Sequence, residues 1–146
     1  MRRVALDTNV LLAAVIARGL CADLVTYLLR AHCDQRLDVI VPAYAFEELN
    51  RHLRGKFAVP PAHVKSVNDT FALFRVSEHM QMPSITTPDP DDVAIVGQAL
   101  WAGSEGLITG DKALLALHRV DGMVILSPRD AFMQLRVPPV SSDDAS

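Results

Sequence analysis

Cysteine is nearly absent from the sequence, occurring only as Cys21 and Cys33. With no CxxC spacing, neither a disulfide framework nor a cysteine zinc site is encoded, and both residues are expected as reduced, half-buried thiols. The five histidines (His32, His52, His63, His79 and His118) follow no zinc-ligand pattern and read as surface or boundary residues. No apolar run continues for the roughly 18 residues that a membrane-spanning helix needs. The opening Met1-Arg2-Arg3-Val4 looks like the start of a signal peptide. However, Asp7 and Asn9 interrupt the apolar stretch at once and no small-residue cleavage site follows, so the expected location is the cytosol. An excess of basic residues is also missing. Fourteen Lys and Arg stand against 17 Asp and Glu, for a net charge of −3, so overall charge does not advertise a polyanion partner. Aromatic residues make up only 5%, which argues against recognition by stacking on many bases.

What is present is enough apolar material for one core. Half of the 146 residues are hydrophobic and 21% are charged, which suits a single folded domain. Arg3–Leu6 reads as a strand ending at Asp7. Val10–Ala17 is apolar all round, which suits a buried helix. Cys21–Cys33 places Leu24, Tyr27, Leu28 and Ala31 at helical spacing. Asp38–Val41 reads as a second strand, and Pro42 fits the first turn of a helix with Phe46, Leu49 and Leu53 on one face and Gly55 at its end. A helix from Pro60-Pro61 to about Phe71, a weak third strand within Leu73–Ser77 and a polar, proline-marked loop over Glu78–Pro90 follow. Then come a helix over Asp92–Ala102, a fourth strand at Gly106–Thr109, a helix over Lys112–Leu117, a fifth strand at Gly122–Leu126 and a last helix from Pro128 to about Leu135. Alternating strands and helices imply a parallel sheet covered on both faces. The chain shows no internal repeat or interdomain linker, and 137–146 reads as a flexible, proline- and serine-rich tail.

Two acids fall where an α/β sheet places its ligands, beyond the carboxyl ends of strands. Asp7 follows the first strand in Leu6-Asp7-Thr8-Asn9, and Asp111 follows the fourth in Thr109-Gly110-Asp111. If those strands are neighbours, the two carboxylates face each other across a crevice. Asp92 lies in the first turn of the helix before the fourth strand. Glu47 and Glu48 both flank the apolar stripe of the helix after the second, and periodicity does not choose between them. Each aspartate taken singly is also explained as a helix N-cap, worth about 1 kcal/mol, and each glutamate as part of a solvated face. Their combined positions favour chemistry. Converging carboxylates cannot all stay ionised without a cation, and an all-oxygen set favours Mg²⁺ or Mn²⁺ over zinc. Such ions stabilise displacement at phosphorus.

At these residues the sequence resembles the PIN-domain family, especially the small prokaryotic members that are toxin components of toxin–antitoxin pairs. The resemblance runs from Ala5 to about Leu135 through four segments: Leu6-Asp7-Thr8-Asn9-Val10-Leu11, Phe46-Glu47-Glu48-Leu49, Asp89-Pro90-Asp91-Asp92-Val93-Ala94-Ile95 and Leu107-Ile108-Thr109-Gly110-Asp111-Lys112. It implies a three-layer αβα domain over 1–136 with a parallel five-stranded sheet in the order 3-2-1-4-5. It also implies a Mg²⁺- or Mn²⁺-dependent endoribonuclease with Asp7, Glu48, Asp92 and Asp111 as catalytic and metal-holding acids, Asn9 and Thr109 supporting them. Glu48 is favoured over Glu47 because the family's acid directly precedes a leucine, and Asp92 over Asp89 and Asp91 because it lies three residues before Ile95; Asp91 remains a substitute. Lys112 and Arg51 are candidate phosphate contacts, with Arg54 and Lys56 extending a basic rim. The implied partners are RNA, a small antitoxin protein and a second copy of the chain; the Cys21–Cys33 helix is a possible dimer face, although burial within the monomer is the stronger expectation. Two other functions compete: a non-catalytic PIN-fold module that binds RNA or protein, and a haloacid-dehalogenase-like phosphatase. The phosphatase needs a second acid where Asn9 stands.

Overall fold

The computed structural model describes residues 1–86 and 89–136 of the chain. Its elements run β1 (Arg3–Leu6), α1 (Thr8–Ile16), α2 (Leu20–Cys33), β2 (Asp38–Pro42), α3 (Ala43–Arg54), α4 (Pro61–Phe71), β3 (Arg75–Ser77), α5 (Pro90–Trp101), β4 (Gly106–Ile108), α6 (Lys112–Leu115), β5 (Arg119–Val120), β6 (Met123–Leu126) and α7 (Pro128–Arg136). The expected tail, 137–146, lies outside the described residues.

The central strands are short apolar runs with no polar alternation, as a sheet buried on both faces requires. Alternate residues serve opposite layers. Val4, Leu6, Val39, Val41, Ile108 and Leu126 pack with Val10, Leu11, Leu24, Leu28, Leu49, Leu53 and Ala131 from the helices on one face. Ala5, Ile40, Leu107, Met123 and Ile125 pack with Ile95, Val96, Ala99 and Leu114 on the other. The result is the three-layer αβα arrangement. β1 pairs in parallel with β2 and with β4, matching Leu6 to Ile108 across the second pairing. The chain reverses its direction of travel across the sheet at β1 and β4, which creates the crevice beyond their carboxyl ends.

The sheet order is β3-β2-β1-β4-β6-β5, so the expected 3-2-1-4-5 holds for the five parallel strands, and a sixth strand is added at the edge. β5 pairs antiparallel with β6, making the sheet mixed. A two-residue turn, Asp121-Gly122, joins them, with φ of 47° and 87°. Both values are positive, as in the type I′ turn that Asp-Gly favours and that matches strand twist. Gly122, expected as the first residue of the strand, is instead the second residue of the turn, and the strand begins at Met123.

Two further expectations are corrected. α1 is not a buried helix: Val10 and Leu11 are buried, the next four residues are half-buried, and Ile16 is exposed. Its main helix neighbours are α2 and α3. Cys21 is half-buried as expected, whereas Cys33, at the last residue of α2, is exposed; both are free thiols. The apolar stripe of α2 is spent inside the domain, where Leu24, Val25, Leu28 and Ala31 are buried. No helix among the described residues is long and apolar enough to cross a membrane.

Candidate functional site

Beyond the ends of β1 and β4 the backbone keeps the two strands in register for one more residue. Asp7 N–H donates to the Ile108 carbonyl at 3.0 Å, and Thr109 N–H donates to Leu126 at 2.9 Å. Asp7 and Thr109 are thereby held side by side. The Thr109 hydroxyl donates to Asp7 Oδ2 at 2.6 Å and accepts from Asp111 N–H at 3.0 Å. Asn9 completes the junction: its Nδ2 donates to Asp7 Oδ2 at 3.2 Å, and its Oδ1 accepts from Gly110 N–H at 2.8 Å. One asparagine thus ties the turn after β4 to the acid after β1.

Asp7 also caps α1, accepting from Thr8 N–H at 2.7 Å, and Asp111 caps α6, accepting from Ala113 N–H at 2.8 Å. For these two, capping is real and does not by itself separate a structural from a chemical role. Asp92 is different. The cap of α5 is Asp89, whose side chain accepts from Asp91 N–H. Asp92 sits in the third helical position, is only 7% exposed, and its carboxylate has no hydrogen-bond donor among the described residues. Capping therefore does not account for it.

The acids register one another electrostatically. Burial and the charges of Asp111, Asp89, Asp7 and Asp91 push Asp92 up to about 6. Burial also raises Asp7, reinforced by Asp111 and partly offset by the donors Thr109, Thr8 and Asn9. Glu48 is raised by burial and by Asp91 and Asp7, against the Thr8 hydroxyl and His52. These carboxylates come from four separated stretches of chain and lie near enough for their charges to act on one another. As they stand, no three of them close into a cage that could grip an ion among the described residues. Their chemistry still suits a hard cation, because Mg²⁺ commonly retains several waters and takes only one or two carboxylates. The donor-less carboxylate of Asp92 is the group that such a cation would satisfy.

Glu48 and Glu47 separate clearly. Glu48 is half-buried and accepts from the Thr8 hydroxyl at 2.9 Å, whereas Glu47 is exposed. Thr8 therefore bridges two acids, its N–H on Asp7 and its hydroxyl on Glu48, a role not visible when it is read as a helix-start residue. Tyr44 was missed altogether. Its hydroxyl donates to Asp91 Oδ1. The spacing Tyr44, Glu48, Arg51 follows one face of α3 and was the available signal. Lys112 stands exposed at the first position of α6, and Arg51, Arg54 and Lys56 are exposed along the end of α3 and just past it.

Comparison with known proteins agrees with the fold. A family model described as PIN domain matches residues 3–113. The chain is also similar to a chain in the crystal structure of VapBC2 from Rickettsia felis bound to a DNA fragment from their promoter. The TM-score is 0.57 and the identity 11%, covering 86% of this chain and 98% of that one. A search of curated proteins finds no significant match.

Proposed function

The chain belongs to the PIN-domain family, and from that premise we propose that it is a divalent-metal-dependent endoribonuclease, the toxin of a toxin–antitoxin pair. The observation that carries the proposal is the mutual influence of three acids from separate stretches of chain: the Asp111 and Asp7 charges push up Asp92, whose carboxylate has no donor among the described residues, and Asp111 pushes up Asp7. Like charges brought this close repel, and a cation offsets that repulsion.

In this reading Asp7, Asp92 and Asp111 hold Mg²⁺ or Mn²⁺, with Glu48 at the edge of the set. When bound, the ion supplies Lewis acidity toward a phosphate oxygen and eases deprotonation of water. The protein's part is positioning. Thr109 and Asn9 lock the rotamer of Asp7, and Thr8 fixes Glu48 relative to it. Glu48, raised above the ordinary glutamate range by burial, is suited to accept a proton from the attacking water. Lys112 and Arg51, exposed at the rim, meet phosphates on either side of the scissile bond.

A small antitoxin protein and a second copy of this chain are the proposed partners, and the cytosol the proposed location. A haloacid-dehalogenase-like reaction is disfavoured because the amide of Asn9, which binds Gly110 N–H and Asp7, occupies the position of the second acid. The test is cleavage of single-stranded and structured RNA with Mg²⁺, Mn²⁺ or EDTA, comparing wild type with Asp7→Asn. Cleavage that needs the ion and falls to background in the variant is expected. Cleavage in EDTA, or a variant as active as wild type, rejects the mechanism. A wild type that binds RNA and leaves it intact identifies the non-catalytic module instead.

A further inference from the structure

The first turn of α3 lacks a side-chain cap of its own, because Pro42 stands at the cap position. The missing acceptor comes from α5. Gln98 Oε1 accepts from Tyr44 N–H at 2.9 Å, and the buried Gln98 is itself anchored by donating to the Glu78 carbonyl at 3.2 Å. Tyr44 then returns a bond to α5, its hydroxyl donating to Asp91. Asp91 and Gln98 lie seven residues, or about two helical turns, apart. Two bonds from one residue therefore fasten the start of α3 along the length of α5. Glu48 is one turn further along α3, and Asp92 is next to Asp91, so this fastening sets the distance between the acid on α3 and the acids on α5.

The tether also distinguishes two adjacent carboxylates. Asp91 is half-buried and has a donor in Tyr44. Asp92 is buried and has no donor among the described residues, and the charges of Asp111, Asp89, Asp7 and Asp91 all act on it. We propose that Tyr44 is a positioning residue that ties Asp91 to α3, so that Asp92 is the α5 carboxylate left to join Asp7 and Asp111 at the divalent ion. This rests on the metal-dependent function proposed above and adds to it the residue that selects between two acids. Groups that orient metal ligands from behind commonly change ion affinity by about 10–100-fold when removed, and Tyr44 acts in this way through the α5 backbone that carries Asp92.

Tyr44→Phe keeps the ring, which packs against the core layer of Ile95 and Val96, and deletes only the donor. The experiment titrates Mn²⁺ calorimetrically into wild type, Tyr44→Phe, Asp91→Ala, the double variant and Asp92→Asn, with melting temperatures measured in EDTA. The expected result is about tenfold weaker Mn²⁺ binding in Tyr44→Phe, a similar loss in Asp91→Ala, which removes the acceptor, no further loss in the double variant, and binding abolished in Asp92→Asn. Tyr44→Phe binding Mn²⁺ like wild type overturns the inference, even if its melting temperature falls. So do losses in the two single variants that multiply, or binding that survives Asp92→Asn and disappears in Asp91→Ala. A wild type that takes up no Mn²⁺ is a separate result, because it refutes the metal-dependent function itself.

Discussion

Asp92 bears a charge that its surroundings do not welcome, and this makes it measurable without substrate. Its pKa stands near 6 in the folded protein, above the ordinary aspartate value it takes when unfolded. The folded state therefore holds the proton more tightly. Stability from this group is fully present below about pH 4 and is lost as pH rises through 6. Asp92→Asn is expected to raise stability in EDTA at pH 7.5, with the gain vanishing near pH 4. Denaturant unfolding across pH checks this, and a variant less stable than wild type at pH 7.5 contradicts it. How far single residues were legible follows from where they sit. Asp7, Asn9, Thr109 and Asp111 were readable because they follow strands directly, where an α/β fold must expose its crevice. The choice of Glu48 over Glu47 was not set by periodicity, since both flank the same apolar stripe; the decisive contact, the Thr8 hydroxyl, comes from a helix 40 positions away. Tyr44 was hidden for the same reason, because its partner lies on α5.

Among the elements, those with a strong apolar period were legible to within a residue or two. α2 buries Leu24, Leu28 and Ala31 as its spacing predicts, and α3 buries Leu49 and Leu53. Elements made by local backbone chemistry were not, such as β5 and its Asp121-Gly122 turn, two residues long on each side. α1 misled because uniform hydrophobicity says nothing about whether a neighbour covers both sides. The loop after β3 shows a constraint that only the packed structure reveals. Gln81 N–H donates to the Gly97 carbonyl in the middle of α5. A Cβ at Gly97 would stand 2.5 Å from the Gln81 carbonyl oxygen and 2.7 Å from Met80 Cε. The side chain of Met80 can move, but the Gln81 backbone can do so only by leaving the helix. Gly97→Ala is expected to destabilise the protein by about 1–3 kcal/mol despite the higher helix propensity of alanine. Equilibrium unfolding is the check, and unchanged or increased stability would show that the loop gives way freely.

The whole molecule joins two apolar layers that need no cofactor to a crevice that is electrostatically incomplete. The parallel sheet fixes β1 beside β4, and α3 and α5 carry further acids to the same end. Close packing elsewhere leaves these side chains little freedom to retreat from one another. A ligand that binds only the folded form raises its stability by mass action, by about 2.7 kcal/mol at a hundred times its dissociation constant, or roughly 5–10 °C for a domain of this size. The most direct test of the account is therefore the melting temperature at pH 7.5 as Mn²⁺ rises from zero to millimolar, for wild type and for Asp7→Asn. The account predicts a rise of that order in wild type and little or none in the variant. A wild-type curve unmoved by Mn²⁺, or an equal rise in Asp7→Asn, would contradict it.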